Sequence, residues 1–475
     1  MFDMETLVRN KHYYSVSLFS PMGGVMQRFS KQAAMIILFT LAVSIFTGCG
    51  GSKNDNIKTP GPAPQPPPTS NVVNISTVAQ LNDIRNDPGA SYRLTTNISL
   101  FSSTDWKPIG SIQTPFTGKF DGNGYAITGL TIEAGRTEQY AGLFGFVDGG
   151  VISNVTLESV VINGRIFAGG IAGYMKNGAI SNSYSAGNVY GDTAGGLVGR
   201  TDGGSIMGSG STGFVEGGWD AGGIVGYADN SLIENCLSTG HVYADIRGAG
   251  GVVGYSVGGR IINCGSEGDI NGYDAGGIAG TMMGGLITFS DSVGYIYGEM
   301  DAGGIAGIVY DGSEITESFS TGDIYALEGG AGGIAGVIYY SLIEYCSGEG
   351  FVDGYIAGGI AGYAESSVIY YCDGIGDVYS ESDAGGIAGT TVDGVIESCY
   401  NEGYIDGYNA GGIAGTLDNS TIMDCNNTGN VYAVWDAGGI AGAAYGDIVI
   451  TDSFMTRGVV YSEAGRAGNI VGWAY

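Results

Sequence analysis

Residues 275–301 read AGGIAGTMMGGLITFSDSVGYIYGEMD, and at Ala302 the same phrase begins again. The opening hexapeptide, or a close variant, recurs about every 27 residues, at Ala141, Ala168, Ala194, Ala221, Ala249, Ala275, Ala302, Ala331, Ala357, Ala384, Ala410, Ala437 and Ala467. A fixed period of this size marks one small supersecondary unit stacked on itself. Three positions after the alanine stands an aliphatic residue (Ile171, Leu197, Ile224, Ile278). Twelve or thirteen after it stands a second (Ile180, Ile206, Ile233, Ile287), and twenty-one or twenty-two after it a third (Val189, Val215, Val242, Ile296). Columns nine residues apart, separated by Gly, Asp and Asn, predict three short strands per coil joined by tight turns. A helical reading fails against 90 glycines, each costing up to ~1 kcal/mol relative to alanine. The expected fold is all-β: a right-handed parallel β-helix of about 12 coils, rising ~4.8 Å per coil. The Gly-Gly pairs fit corners that need positive φ or close backbone approach.

The unit Ala-Gly-Gly-Ile-Ala-Gly…Ile-x-x-Ser/Cys…Gly-x-Val-Tyr-Gly resembles the GLUG repeat of bacterial surface proteins. The preceding segment is similar to the lead-in of such repeat domains: Thr77-Val-Ala-Gln-Leu-Asn-Asp-Ile84, Asp105-Trp-Lys-Pro-Ile-Gly110, Phe116-Thr-Gly-Lys-Phe-Asp-Gly-Asn-Gly-Tyr125 and Gly142-Leu-Phe-Gly145. The resemblance covers about residues 71–475. It implies a surface β-helix with no defined chemistry of its own, of the kind found in adhesin-like proteins and beside the metalloprotease domains of some immunoglobulin-cleaving enzymes.

The chain divides into four parts. Residues 1–48 contain the apolar run AAMIILFTLAVSIF, 33–46, behind Arg28 and Lys31. That run is too short to span a membrane but suits a signal-peptide core, with Met26 as the expected true start. It ends in Phe46-Thr-Gly-Cys49, which resembles a lipobox, although phenylalanine stands where that pattern prefers leucine. Cys49 is the expected lipid-attachment residue, giving the protein a membrane anchor. Residues 49–70 form a Pro-rich, semi-rigid spacer. Residues 71–140 are expected to cap the solenoid, with Thr77 and Gln80 as a capping box ahead of Val78, Leu81 and Ile84. Residues 141–475 are the repeats, ending at Trp473 and Tyr475, which either fold over the last coil or leave it for a partner.

Formal net charge is −29, and between Ile261 and Thr456 there is no Lys or Arg against 28 Asp and Glu. Nucleic acid is excluded as a partner, because phosphate binding needs cations. A glycan or a host or matrix protein remains as partner. The only histidines are His12 and His241, and no HExxH, Ser-His-Asp set or zinc-type spacing occurs. The chain is therefore expected not to be an enzyme and to need no cofactor.

Three columns carry what chemistry there is. Cys236, Cys264, Cys346, Cys372, Cys399 and Cys425 lie fifteen residues after their alanine, where Ser183, Ser209 and Ser290 stand in other coils. They are expected as a buried ladder of small thiols and hydroxyls rather than disulfides or metal ligands. Asp220, Asp274, Asp301, Asp383 and Asp436 each precede an Ala-Gly-Gly; they are expected to cap backbone N–H groups, with loose Ca²⁺ binding as the alternative. One residue past the third aliphatic column, an outward column holds Tyr190, Glu216, Tyr243, Asn271, Tyr297, Tyr325, Asp353, Tyr379, Asp406 and Tyr432. Its tyrosines either stack on one another as strand formers or form the candidate ligand surface. The function expected is that of a cell-envelope lipoprotein, outer-membrane or surface-exposed, presenting an acidic, Tyr-striped face as an adhesin-like or interaction module. The alternative is a carbohydrate-active enzyme or glycan-binding module using the same face.

Overall fold

The structure is a computed structural model that describes residues 72–102, 106–132 and 139–474. The chain winds as a β-solenoid of about 14 turns, and every strand pairing is parallel. The first side has 13 strands, represented by Ala172–Lys176 and Ala414–Asp418. The second has 15, represented by Ala179–Ser181 and Leu342–Glu344. The third is the longest, with two or more segments from each coil, such as Leu237–Ser238 and His241–Gly250. There are about two more turns than hexapeptide spacing suggests because the segment before Ala141 already coils. Val72–Ile75, Ser91–Leu94, Lys119–Asp121 and Val151–Ser153 are successive strands of the second side.

Two of the aliphatic columns sit where strands were expected. Ile180, Ile206 and Ile233 pair residue for residue on the second side, and Val189, Val215, Val242 and Ile270 do so on the third. The first column differs: Ile171, Leu197 and Ile278 lie in the bend between the third and first sides, outside any strand. Their side chains are fully buried all the same, and their N–H groups still bond to the next coil, as Ile171 N does to Leu197 O at 2.9 Å. The Gly-Gly before them serves close approach rather than positive φ. A Cβ on Gly276 would lie 1.8 Å from the Ala279 carbonyl oxygen.

Left-handed backbone occurs instead at the two corners flanking the second side. Asn177, Asn230 and Asn419 occupy the first, Asn182, Asn235 and Asn263 the second, all with φ between 44° and 54°. Asn tolerates this region better than other side chains. The N–H of the residue after the second corner bonds to the side chain of its equivalent in the next coil, which accounts for the cysteine and serine column. Ser183 Oγ accepts from Val155 N at 3.1 Å and donates to Ser181 O at 2.8 Å. Cys399 Sγ accepts from Cys372 N at 3.4 Å and contacts Glu397 O at 3.3 Å. All six cysteines in the described residues are free and buried, as the ladder reading expected.

The helix at the front forms as the sequence suggests. It runs Val78–Asp83, followed by a 3-10 turn over Ile84–Asn86. Thr77 Oγ1 accepts from Gln80 N at 3.2 Å, while Gln80 Oε1 accepts from Ser76 N, one residue before the expected partner, at 2.8 Å. Leu81 and Ile84 are fully buried. At the other end Trp473 does not fold over the last coil. It lies on the first side opposite Ala443, 45% exposed.

Candidate functional site

The outward face of the third side is built by strand alternation. With Val189, Val215 and Val242 turned inward, Tyr190, Glu216 and Tyr243 turn out, in register on three successive coils. They line a groove of about 420 Å³ together with Arg165, Asp192, Asp245 and the glycines 164, 191, 217 and 218. Of these glycines only Gly218 would turn a Cβ toward the groove residue Asp192, 3.7 Å from its Cα; a Cβ at Gly164, Gly191 or Gly217 would press on Ala141, Ala168 or the Asp220 carbonyl instead. Tyr243 Oη lies 3.4 Å from Asp245 Oδ1, and burial, with Asp245 alongside, raises the Tyr243 phenol above its ordinary range. It therefore stays a hydrogen-bond donor across physiological pH. Further along the same side a smaller groove of about 190 Å³ lies between Tyr297, Tyr325, Asp353, Tyr355 and Glu381. A cavity of about 520 Å³ lies elsewhere, around Arg85, Lys107 and Tyr140.

The remaining tyrosines of the expected column do something different. Tyr325, Tyr379 and Tyr432 belong to a continuous aromatic ladder, Tyr295–Tyr325–Phe351–Tyr379–Tyr404–Tyr432–Tyr461, with ring centroids 5.1–6.0 Å apart. Tyr295, Phe351 and Tyr404 were missed as members. The signal was period two: where the column carries Asp353 and Asp406, the aromatic stands two residues earlier on the same side. Neighbouring rings pack against one another tilted by 30–46°, so in this run the tyrosines stabilise the ladder. Tyr190, packed against Phe214 at 6.0 Å, and Tyr243 and Tyr297 remain as groove walls outside the ladder, while Tyr325 belongs to both the ladder and the smaller groove. A second aromatic stripe also escaped notice. Trp219, Tyr273, Tyr355, Tyr408 and Trp435 stand two residues before their hexapeptide, 38–51% exposed, and Tyr408 and Trp435 lie parallel with centroids 6.1 Å apart.

The aspartates beside that stripe are buried or half-buried, and most are satisfied from within the chain. Asp220 is held by both arms of Arg247 and Asp436 by Arg466 at 3.4 Å. Asp383 accepts from Thr390, Thr416 and Asn409 at 2.8–2.9 Å. Asp301 accepts from the Gly330 N–H at 2.8 Å, the capping role expected of the column. Asp274, directly opposite Asp301 in register, has a buried Oδ1 with no hydrogen-bond partner. Among the described residues no group of three or more His, Cys, Asp or Glu side chains is placed to hold a metal ion. Cys49 lies outside the described residues.

The model of the GLUG motif matches residues 217–243 and 406–432. Two coils of this β-helix are thus GLUG motifs. Each matched GLUG segment is one full coil, and the first runs from the groove glycine Gly217 to the groove wall Tyr243. The chain is 32% identical over 149 residues to halomucin of Haloquadratum walsbyi, a match covering 28% of this chain and 2% of halomucin. It is 39% identical over 92 residues to a Gly-rich membrane protein of Evansella cellulosilytica, covering 18% of this chain and 10% of that one. The chain thus spans a small part of the curated relatives it matches. A solved IgA1 protease structure aligns with 60% of this chain and 22% of its own length, at 18% identity and a TM-score of 0.38.

Proposed function

We propose that this protein is a surface-displayed β-helix, anchored through an acylated Cys49, that binds glycan chains along its third side without cleaving them. The observation that carries the reading is the groove walled by Tyr190 and Tyr243 with Glu216 between them. Aromatic walls suit the apolar faces of sugar rings, and carboxylates and phenols suit their hydroxyls. Two such grooves on one side fit an extended polymer better than a single small molecule. A surface location is supported by the GLUG coils and by likeness to halomucin and to a protein named for a membrane. The anchor rests on the order of basic residues, apolar run and Thr-Gly-Cys49.

A glycan and extracellular-matrix array probed with the full-length chain and with a Tyr190→Ala/Tyr243→Ala variant tests the binding role. Saturable binding lost in the variant is expected; no binding to any glycan by the parent chain would overturn it. Asp192, Glu216 and Asp245 share the groove, and two carboxylates at suitable separation are all a glycoside hydrolase needs. Any array ligand should therefore also be assayed for release of reducing ends. Turnover abolished by Glu216→Gln would replace the binding role with an enzymatic one.

A further inference from the structure

A second patch, on the corner between the second and third sides, points to a different ligand. Its backbone is left-handed in every repeat coil described from Ala168 onward, at φ 46–57°: Asn182, Gly208, Asn235, Asn263, Glu317, Ser398, Asp424 and Asp452 hold the position in eight coils and Phe289 in a ninth. In two consecutive coils the residue is instead Tyr345, φ 53°, and Tyr371, φ 50°. A bulky side chain is an outlier in that region, and burial does not offset the strain here, since the two are 54% and 44% exposed. The rings stack at 5.1 Å with planes 13° apart, and Tyr370 packs 4.1 Å from Tyr371.

Carboxylates stand on the strands and corner beside the stack. Glu344, Tyr370 and Glu397 are in register on three coils of the second side. Glu317, in the corner position one coil before Tyr345, shares with it an open recess of about 500 Å³.

Elsewhere the fold fills such a combination with an arginine of its own. Arg200 lies 4.6 Å over Tyr227 and pairs with Asp202 at 2.9 Å. Arg247 lies 4.3 Å over Tyr255 and pairs with Asp220. Arg466 lies 4.7 Å over Trp435 and pairs with Asp436. No Lys or Arg exists between Ile261 and Thr456 to do the same at Tyr345 and Tyr371. We propose that this corner patch docks an arginine-bearing segment of a partner polypeptide, its guanidinium lying on the Tyr345–Tyr371 stack and bonding to Glu317, Glu344 or Glu397. The planar, weakly hydrated guanidinium suits aromatic face and carboxylate together. The site is separate from the sugar grooves and takes a ligand of another class.

The test is fluorescence anisotropy of a short labelled peptide of alternating Arg and Gly, titrated with the full-length chain at physiological ionic strength. The parent is compared with a Tyr345→Asn/Tyr371→Asn variant, which leaves net charge unchanged and puts a residue tolerant of positive φ at each corner. The expected result is a loss of affinity of about tenfold or more, with a melting temperature equal to or above that of the parent. Unchanged affinity would show general attraction to an acidic rod, and would overturn the proposal, as would absence of binding by the parent. Loss of a glycan ligand rather than the peptide in this variant would also overturn it. Tyr190→Ala/Tyr243→Ala is expected to leave peptide binding intact.

Discussion

At the residue scale, small side chains decide whether a turn of backbone is satisfied. Cys399 offers its sulfur to the Cys372 N–H from the next coil, so Cys399→Ser should be tolerated. Cys399→Ala should cost about 1–2 kcal/mol, because it leaves a buried donor without an acceptor. Urea melts of the two variants check this; equal stability would remove the hydrogen-bonding account of the column. The buried aspartates make a second prediction. Burial, reinforced by Asp301 and partly countered by Arg247, pushes Asp274 up to about 7. Burial, opposed by the Gly330 N–H, pushes Asp301 up to about 6. Both folded values lie above the unfolded carboxylate range near 4. The stability these groups contribute is therefore present below about pH 4 and lost as pH rises toward about 7. Asp274→Asn should flatten that dependence and stabilise the protein at neutral pH by roughly 2 kcal/mol. Melting curves across pH 4–8 decide it, and an unchanged pH profile would count against it.

At the scale of the element, each coil depends on places where two backbones nearly touch. Gly350 lies in the turn before the third-side strand, and a Cβ there would come 1.8 Å from the Gly322 carbonyl oxygen of the coil below. Both partners are backbone, so neither can turn aside. Gly350→Ala should destabilise by roughly 2–4 kcal/mol, whereas Gly312→Ala, at an open corner with nothing within 4 Å, should cost only its positive-φ strain of about 1–2 kcal/mol. Calorimetry on both variants checks the ranking, and equal losses would contradict it. The strand elements were largely legible: two of three aliphatic columns fall in strands, the second at their centres, as Ile180 does in Ala179–Ser181, and the third mostly at their first or second residue, as Ile296 does in Ile296–Gly303, and Thr77 starts the front helix. The first column was not, because an isoleucine in a bend and one in a strand are buried alike and leave the same mark in the sequence. The ladder through Phe351 and Tyr404 was half legible, since alternation was available from one strand but partner choice was not.

For the molecule as a whole, net charge and the proposed anchor at Cys49 are the properties to test. A chain with net charge −29 is kept apart from its copies by repulsion. Light scattering should show association as carboxylates are protonated below about pH 4.5, reversed on return to neutral pH; monodispersity at low pH would assign solubility to another cause. Metabolic labelling with a palmitate analogue should mark the native chain and not a Cys49→Ser variant, and equal labelling of both would remove Cys49 as the attachment site.

Period, columns, glycine density and the distribution of charge are properties of the chain read in order, so the sequence alone determined a parallel solenoid, a strongly negative net charge and a small-residue ladder. Which aromatic faces stay open, which aspartates find a partner, and where tyrosines are forced into left-handed corners depend on side chains a whole coil away. Those contacts exist only once about 27 intervening residues have closed one turn and set the register of the next. The groove at Tyr190 and Tyr243 and the stack of Tyr345 on Tyr371 were therefore decisions of the tertiary structure.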